Sequence, residues 1–215
     1  MVQWFNSAGV RSVWQVVRQP GLLMPHVVVA DIRSIPYEDL RARGIRYLVF
    51  DKDNCLTAPY AEHVHPPFAD AWRRCRTLFP GAHVLIVSNS AGTADDRDRW
   101  AASQMEAALG VPVLRHRRKK PGCGDDVLVA LGAMEDLAPC SIDPRHVAVV
   151  GDRLATDVAL ANINAMLAIW TTDIVSAAGD NAVASVARTI EHRLYGLLKR
   201  RGVRPPPHAS GIGGR

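Results

Sequence analysis

No stretch of this chain is long and apolar enough to cross a bilayer. The longest runs, around Val147–Val150 and Ala165–Trp170, have the length of buried strands and fall well short of the ~20 residues a spanning helix needs. Aromatic residues are scarce, at 6%, and the four cysteines (Cys55, Cys75, Cys123, Cys140) contain no C-x-x-C pair. That spacing excludes a paired-cysteine zinc site and a secreted disulfide framework, and it favours a reducing compartment. Acidic residues are missing from both ends: residues 1–30 hold none, and neither do residues 199–215. The second gap explains the net charge of +5, because Lys199, Arg200, Arg201, Arg204 and Arg215 supply it alone and the other residues balance 21 bases against 21 acids. A nucleic-acid-binding domain carries its excess on a folded face, so the sequence speaks against nucleic acid as a partner.

What is present is one domain's worth of chain: 215 residues, 48% hydrophobic and 22% charged, enough to bury a real core and too little for two full domains. Five short apolar runs punctuate it: Ile45–Phe50, His83–Val87, Val111–Leu114, His146–Val150 and Ala165–Trp170. Their near-continuous apolarity implies burial on both faces, and their alternation with helical patterns implies a parallel five-stranded sheet between helices. Helices are expected over Asp95–Leu109 and Gly124–Leu137. A third, capped by Asn181, should bury a stripe of Val183, Val186, Ile190, Leu194 and Leu197 and stop at Lys199-Arg200-Arg201-Gly202.

The pattern divides the chain into an N-terminal amphipathic segment (1–44), a layered domain (45–200) and a basic tail (201–215) too poor in apolar residues to order itself. In the first segment Val10, Val13, Trp14 and Val17 share one helical face and Arg11, Gln15 and Arg18 the other, up to Pro20-Gly21. Such a helix either packs on the domain or lies on anionic lipid; an acid-poor start of this kind also fits an organelle transit segment.

Polar clusters follow four of the runs. Asp51-Lys52-Asp53-Asn54-Cys55 follows the first, Ser88-Asn89-Ser90 the second, Lys119-Lys120-Pro121 the third and Gly151-Asp152 the fourth, continuing to Asp157. Successive gaps of 35, 32 and 32 residues each match one strand–helix crossover, so the clusters converge on one mouth at the carboxyl ends of the strands. Asp51, Asp53 and Asp152 repel one another unless a hard divalent cation is bound, and oxygen ligands suit Mg²⁺. Facing them, the Ser88 hydroxyl and a lysine ammonium suit the equatorial oxygens of a phosphoryl group. Pro121 favours Lys120 over Lys119 for that role. Arg115, Arg117 and Arg118 read either as a solvated run or as a phosphodiester-binding patch. His63, His65 and His116 do not have the spacing of one metal site and read as loop residues, and Cys123 reads as structural.

The segments DKDNC, SNS, KKPG and GDRLATD resemble the four motifs of the haloacid-dehalogenase-like (HAD) phosphatases. VFDKDNCLTAP, LIVSNSAGT, HRRKKPG and VWQVVRQPGLLMPHVVV are similar to one branch, the mitochondrial and plastid phosphatidylglycerophosphatases, over about residues 10–175. The resemblance implies an α/β fold, a HAD-like Rossmannoid three-layer sandwich around the parallel sheet. It also implies a division of labour. Asp51 would be the nucleophile that becomes an aspartyl-phosphate. Asp53 would serve as acid and then base. Mg²⁺ would be held by the Asp51 carboxylate, the Asp53 backbone carbonyl and Asp152. Ser88, Asn89 and Lys120 would bind the phosphoryl group, and Asp157 would orient Lys120 or a metal-bound water. Cys55 stands where many HAD members have Thr, and a packing role is expected for it.

The spans 57–83 and 89–111 leave room for a loop and a helix but not for a cap domain. A capless mouth suits a phosphate presented by a large surface, such as an anionic membrane. The expected activity is removal of the terminal phosphate of phosphatidylglycerophosphate, giving phosphatidylglycerol for the cardiolipin pathway. The expected place is peripheral, on the matrix side of the inner mitochondrial membrane, or else in a plastid, with the acid-free start and basic tail docking the mouth on the bilayer. The alternatives are a capless phosphatase of a phosphoprotein, nucleic-acid end or soluble sugar phosphate, and a phospho-accepting or lipid-binding adaptor.

Overall fold

The computed structural model describes residues 15–135, 141–176 and 182–213. Five strands form its centre: β1 (Val27–Val29), β2 (Tyr47–Phe50), β3 (Val84–Ile86), β4 (Val147–Gly151) and β5 (Leu167–Thr171). All pair in parallel, in the spatial order β1-β5-β4-β2-β3. The helices are α1 (Tyr37–Ala42), α2 (Ala69–Leu78), α3 (Trp100–Leu109), α4 (Gly124–Ala133), α5 (Ala159–Ile163) and α6 (Ala182–Arg200).

The alternation of side chains along each strand builds two cores. Leu48 and Phe50 of β2, with Val84, Ile86, Ala148, Val150, Leu167 and Ile169, pack under α1, α2 and α3. Tyr47 and Val49, with Leu85, Val147, Val149, Ala168 and Trp170, pack under α4, α5 and α6. Every residue of β2, β3, β4 and β5 is buried, which is why these strands read as unbroken apolar runs. Each large side chain so buried contributes ~1.5–3 kcal/mol. The result is the three-layer α/β arrangement.

The five strands are not the five expected ones. Val111–Leu114 supplies only a single bridge, Val113 to Ile86, with Ile86 N donating to Pro112 O (2.9 Å) and Leu114 N to Ile86 O (2.8 Å). Pro112 has no N–H to extend a ladder. The fifth strand is instead β1, inside the segment expected to dock on lipid. Residues 20–44 belong to the folded domain: Leu23 and Met24 fill one core, and Ile32, Ile35, Tyr37 and Leu40 the other. Their apolarity serves the edge of the sheet. Of the expected amphipathic helix, Val10, Arg11, Val13 and Trp14 lie outside the described residues; residues 15–18 are helical, with Val16 packed on the core and Val17 exposed.

The tail, expected to be disordered, lies along the domain as far as residue 213. His26 Nε2 donates to Pro206 O (2.9 Å), and Val203 and Ile212 reach the two cores. Helix α3 begins at Trp100, five residues later than expected, because Asp98 and Arg99 take left-handed φ values of 53° and 57°. Asp96 then caps the helix, accepting from the amides of Ala101 and Ala102 (both 3.0 Å). Trp100 is exposed.

Helix α6 is turned differently from expectation. Val183, Val186, Ile190 and Leu197 face outward, while Arg188, Glu191 and Leu198 are buried and Leu194 is partly so. The proposed Asn181 cap lies outside the described residues.

Candidate active site

The chain runs from β2 to β3 on one side and returns past β2 to β4 on the other, which makes the β2–β4 crevice a topological switch point where open α/β sheets bind ligands. Asp51 is the first residue past β2, its amide held by Val150 O (2.8 Å). Asp152 is the first past β4, its carbonyl accepting from Trp170 Nε1 (2.9 Å). Beyond it the chain makes a wide π-type turn, Leu154–Val158, a form that clusters at functional sites. That turn brings Asp157 back beneath the strand end. A Cβ on Gly151 would stand 2.3 Å from Asp157 Cγ, so the close approach requires glycine.

The loop after β3 carries Ser88. Its Oγ lies 3.0 Å from Ser90 Oγ and accepts from the amides of Ser90 and Ala91 (3.2 and 3.3 Å). The lysine loop is tied to it, because Lys120 N donates to Asn89 Oδ1 (2.8 Å). Lys120 Nζ then bridges Asp51 Oδ1 (2.5 Å) and Asp157 Oδ1 (2.6 Å). Lys119 points elsewhere, pairing with Asp95 at the surface (2.7 Å).

Asp51, Asp152 and Asp157 each offer an oxygen within 4.8 Å of the others. Burial pushes the Asp51 carboxyl up to about 7 and the Asp152 carboxyl up to about 6. Burial would lower the Lys120 ammonium, but the Asp157 and Asp51 charges outweigh it and hold that group above its usual range. Lys120 and Arg188, whose Nε donates to Asp152 Oδ2 (2.7 Å), compensate two of the three carboxylates. Among the described residues one negative charge is left over at a cluster of oxygen donors, so the donor set fits a hard divalent cation. Asp53 stands apart from the cluster. Its side chain is 41% exposed at the mouth and pairs with Lys52 Nζ (2.8 Å), so it is open to solvent there.

The remaining expected residues take other places. Arg115 pairs with Glu106, and Arg118 with Asp125 and Asp126 (3.3 and 3.5 Å), so two of the three arginines have protein partners. Cys55 is buried with Sγ 3.9 Å from Val150 O, and Cys123 is buried in the core. His116, read as a loop residue, is buried, and its ring nitrogens lie 2.9 Å from Ser88 O and 2.7 Å from Arg118 O, tying the serine loop to the lysine loop. Arg188 and Glu191 were missed. Glu191 accepts from the amides of Leu154 (3.1 Å) and Ala155 (3.2 Å) and from Arg153 Nε (3.0 Å). The only sequence signal for either was a charged residue at helical spacing with Leu198.

The chain matches the family described as mitochondrial PGP phosphatase over residues 7–176. It is similar to the mitochondrial phosphatidylglycerophosphatase GEP4 of Saccharomyces cerevisiae, 33% identical over 90% of this chain and 98% of that protein. It is also similar to the chloroplastic/mitochondrial phosphatidylglycerophosphate phosphatase 1 of Arabidopsis thaliana, 36% identical over 96% of this chain and 57% of that longer protein. A third relative is the probable phosphatase YqeG of Bacillus subtilis, 26% identical over 83% of this chain and 93% of that protein. No solved structure matches the chain.

Proposed function

Since the chain belongs to the mitochondrial PGP phosphatase family, and is thus a phosphatase, we propose that it removes the terminal phosphate of phosphatidylglycerophosphate through an aspartyl-phosphate on Asp51. The observation that carries this reading is the buried Asp51–Lys120–Asp157 bridge beside Asp152, set at the switch point in a mouth with no cap domain over it among the described residues.

The chemistry follows from the placement. An Asp51 carboxylate oxygen attacks phosphorus and the P–O bond to glycerol breaks. The leaving alkoxide takes its proton from Asp53, whose exposed carboxyl stands at the mouth. In the second half Asp53 accepts a proton from water as that water attacks phosphorus, and inorganic phosphate leaves with the Asp51 carboxylate restored. Ser88 and Lys120 hold the equatorial oxygens, and Asp157 keeps the ammonium in line. Asp51, Asp152 and the Asp53 carbonyl would hold Mg²⁺, which when bound supplies charge neutralisation between carboxylate and phosphate. The proposed place of action is a membrane surface in a mitochondrion or plastid, in keeping with the relatives' names.

The test is release of inorganic phosphate from phosphatidylglycerophosphate in vesicles, with Mg²⁺ and with chelator. Wild-type protein should turn over only with the metal, and Asp51→Asn should turn over essentially none. Normal turnover by that variant overturns the mechanism. Equal or faster hydrolysis of water-soluble phosphate esters overturns the substrate assignment.

A further inference from the structure

Helix α6 buries Arg188 and Glu191 while leaving Val183, Val186, Ile190 and Leu197 exposed. Of the nine large hydrophobic side chains exposed among the described residues, four (Val183, Val186, Ile190 and Leu197) lie on this one helix. At 100° per residue they form a single stripe ~21 Å long. Arg193 and Arg200, both exposed, run along one edge of it, and the one acid of the helix, Glu191, is buried against Arg153 on the opposite face. That opposite face also carries Ala184 and Arg188, which line the catalytic mouth.

We propose that this stripe is the surface by which the protein lies on an anionic phospholipid bilayer, with the catalytic mouth held one helix thickness above it. The inference rests on the reading of the substrate as a phospholipid. Charge selects the occupant: an apolar band edged by arginine and, among the described residues of the helix, free of exposed acid matches the interfacial plane of an anionic leaflet. A second copy of the chain is disfavoured, because its stripe brings arginines and no exposed acid to meet them. Distance agrees as well. A helix is ~10 Å across, so Arg188 and the mouth stand off the surface at a height suited to a phosphate carried beyond the bilayer phosphodiester on a three-carbon glycerol.

The experiment uses full-length protein, phosphatidylcholine vesicles with and without phosphatidylserine, and the double variant Val186→Glu/Ile190→Glu. Both positions are exposed, so the far-ultraviolet spectrum and the hydrolysis of p-nitrophenyl phosphate should be unchanged. Wild-type protein should co-sediment with the phosphatidylserine vesicles, and the double variant should bind about tenfold more weakly or worse. Turnover of vesicle-borne substrate should fall by the same factor. Equal vesicle binding by both proteins overturns the proposal, as does a wild-type dimer that the substitutions split into monomers. If the stripe governs vesicle binding but phosphatidylglycerophosphate is not hydrolysed, docking stands and the substrate reading falls. If that lipid is hydrolysed by both proteins with equal vesicle binding, the reverse holds.

Discussion

Gly151 shows how closely single atoms are set at the strand ends. The space its missing side chain leaves is filled by the Asp157 carboxyl, which in turn holds Lys120 against Asp51. Gly151→Ala should therefore displace Asp157 without touching Asp51. Overpacking of this kind costs ~1–3 kcal/mol, and loosening the lysine should lower kcat by roughly 10²-fold, read by thermal melting and steady-state phosphate release. At this scale the sequence was most informative where chemistry sits next to a strand. Asp51, Ser88 and Asp152 each directly follow or nearly follow an apolar run, so topology alone brings them together. His116, Arg188 and Glu191 were not legible, because the partners that tie them to the site (Ser88, Asp152 and residues 153–155) are 28, 36 and 36 to 38 residues away and nothing local distinguishes them from solvated side chains.

Among the elements, α6 carries the main lesson. Two stripes at helical spacing run along it, one apolar and one containing Arg188 and Glu191, and hydrophobicity favours burying the first. The structure buries the second, because Asp152 and the Leu154 and Ala155 amides of the π-type turn offer those charges hydrogen bonds that the expected orientation would leave unmade. The helix thus clamps the turn that carries Asp157. Glu191→Ala should leave the Leu154 and Ala155 amides unpaired, at ~1–3 kcal/mol. It should also weaken the apparent Mg²⁺ affinity by about 10- to 100-fold, measured from the metal dependence of phosphate release. An unchanged metal dependence would mean that the turn holds its shape without the clamp. The short strand β1 was hidden for a related reason: three valines beside an amphipathic stretch give no sign of whether lipid or β5 will cover them.

Taken as a whole, the molecule keeps its two ends of business apart. The mouth lies at the carboxyl ends of the strands, while His26, just before β1, anchors the tail at the other end of the sheet. His26 Nδ1 accepts from Ala168 N (3.0 Å) and Nε2 donates to Pro206 O, so a second ring proton would set two donors face to face. Burial lowers the His26 imidazole below its ordinary value, and burial beside His26 lowers His208 to about 4. Folded values depressed in this way favour the neutral rings, so the attachment should be strongest above pH 6.5 and weaken as pH falls below it, through the His208 value of about 4. Backbone NMR shifts of residues 203–213 should move to their unfolded positions over that range while the sheet is unaffected; constant shifts would show that the tail is held elsewhere. The layered α/β class was legible from alternating apolar runs. The packing of the tail was not, since it depends on a few side chains in a stretch rich in proline and glycine. Among the described residues nothing closes over the mouth. An active centre without a closing door has no means of gauging the size of what enters, so such an enzyme must choose its substrate by address rather than by shape.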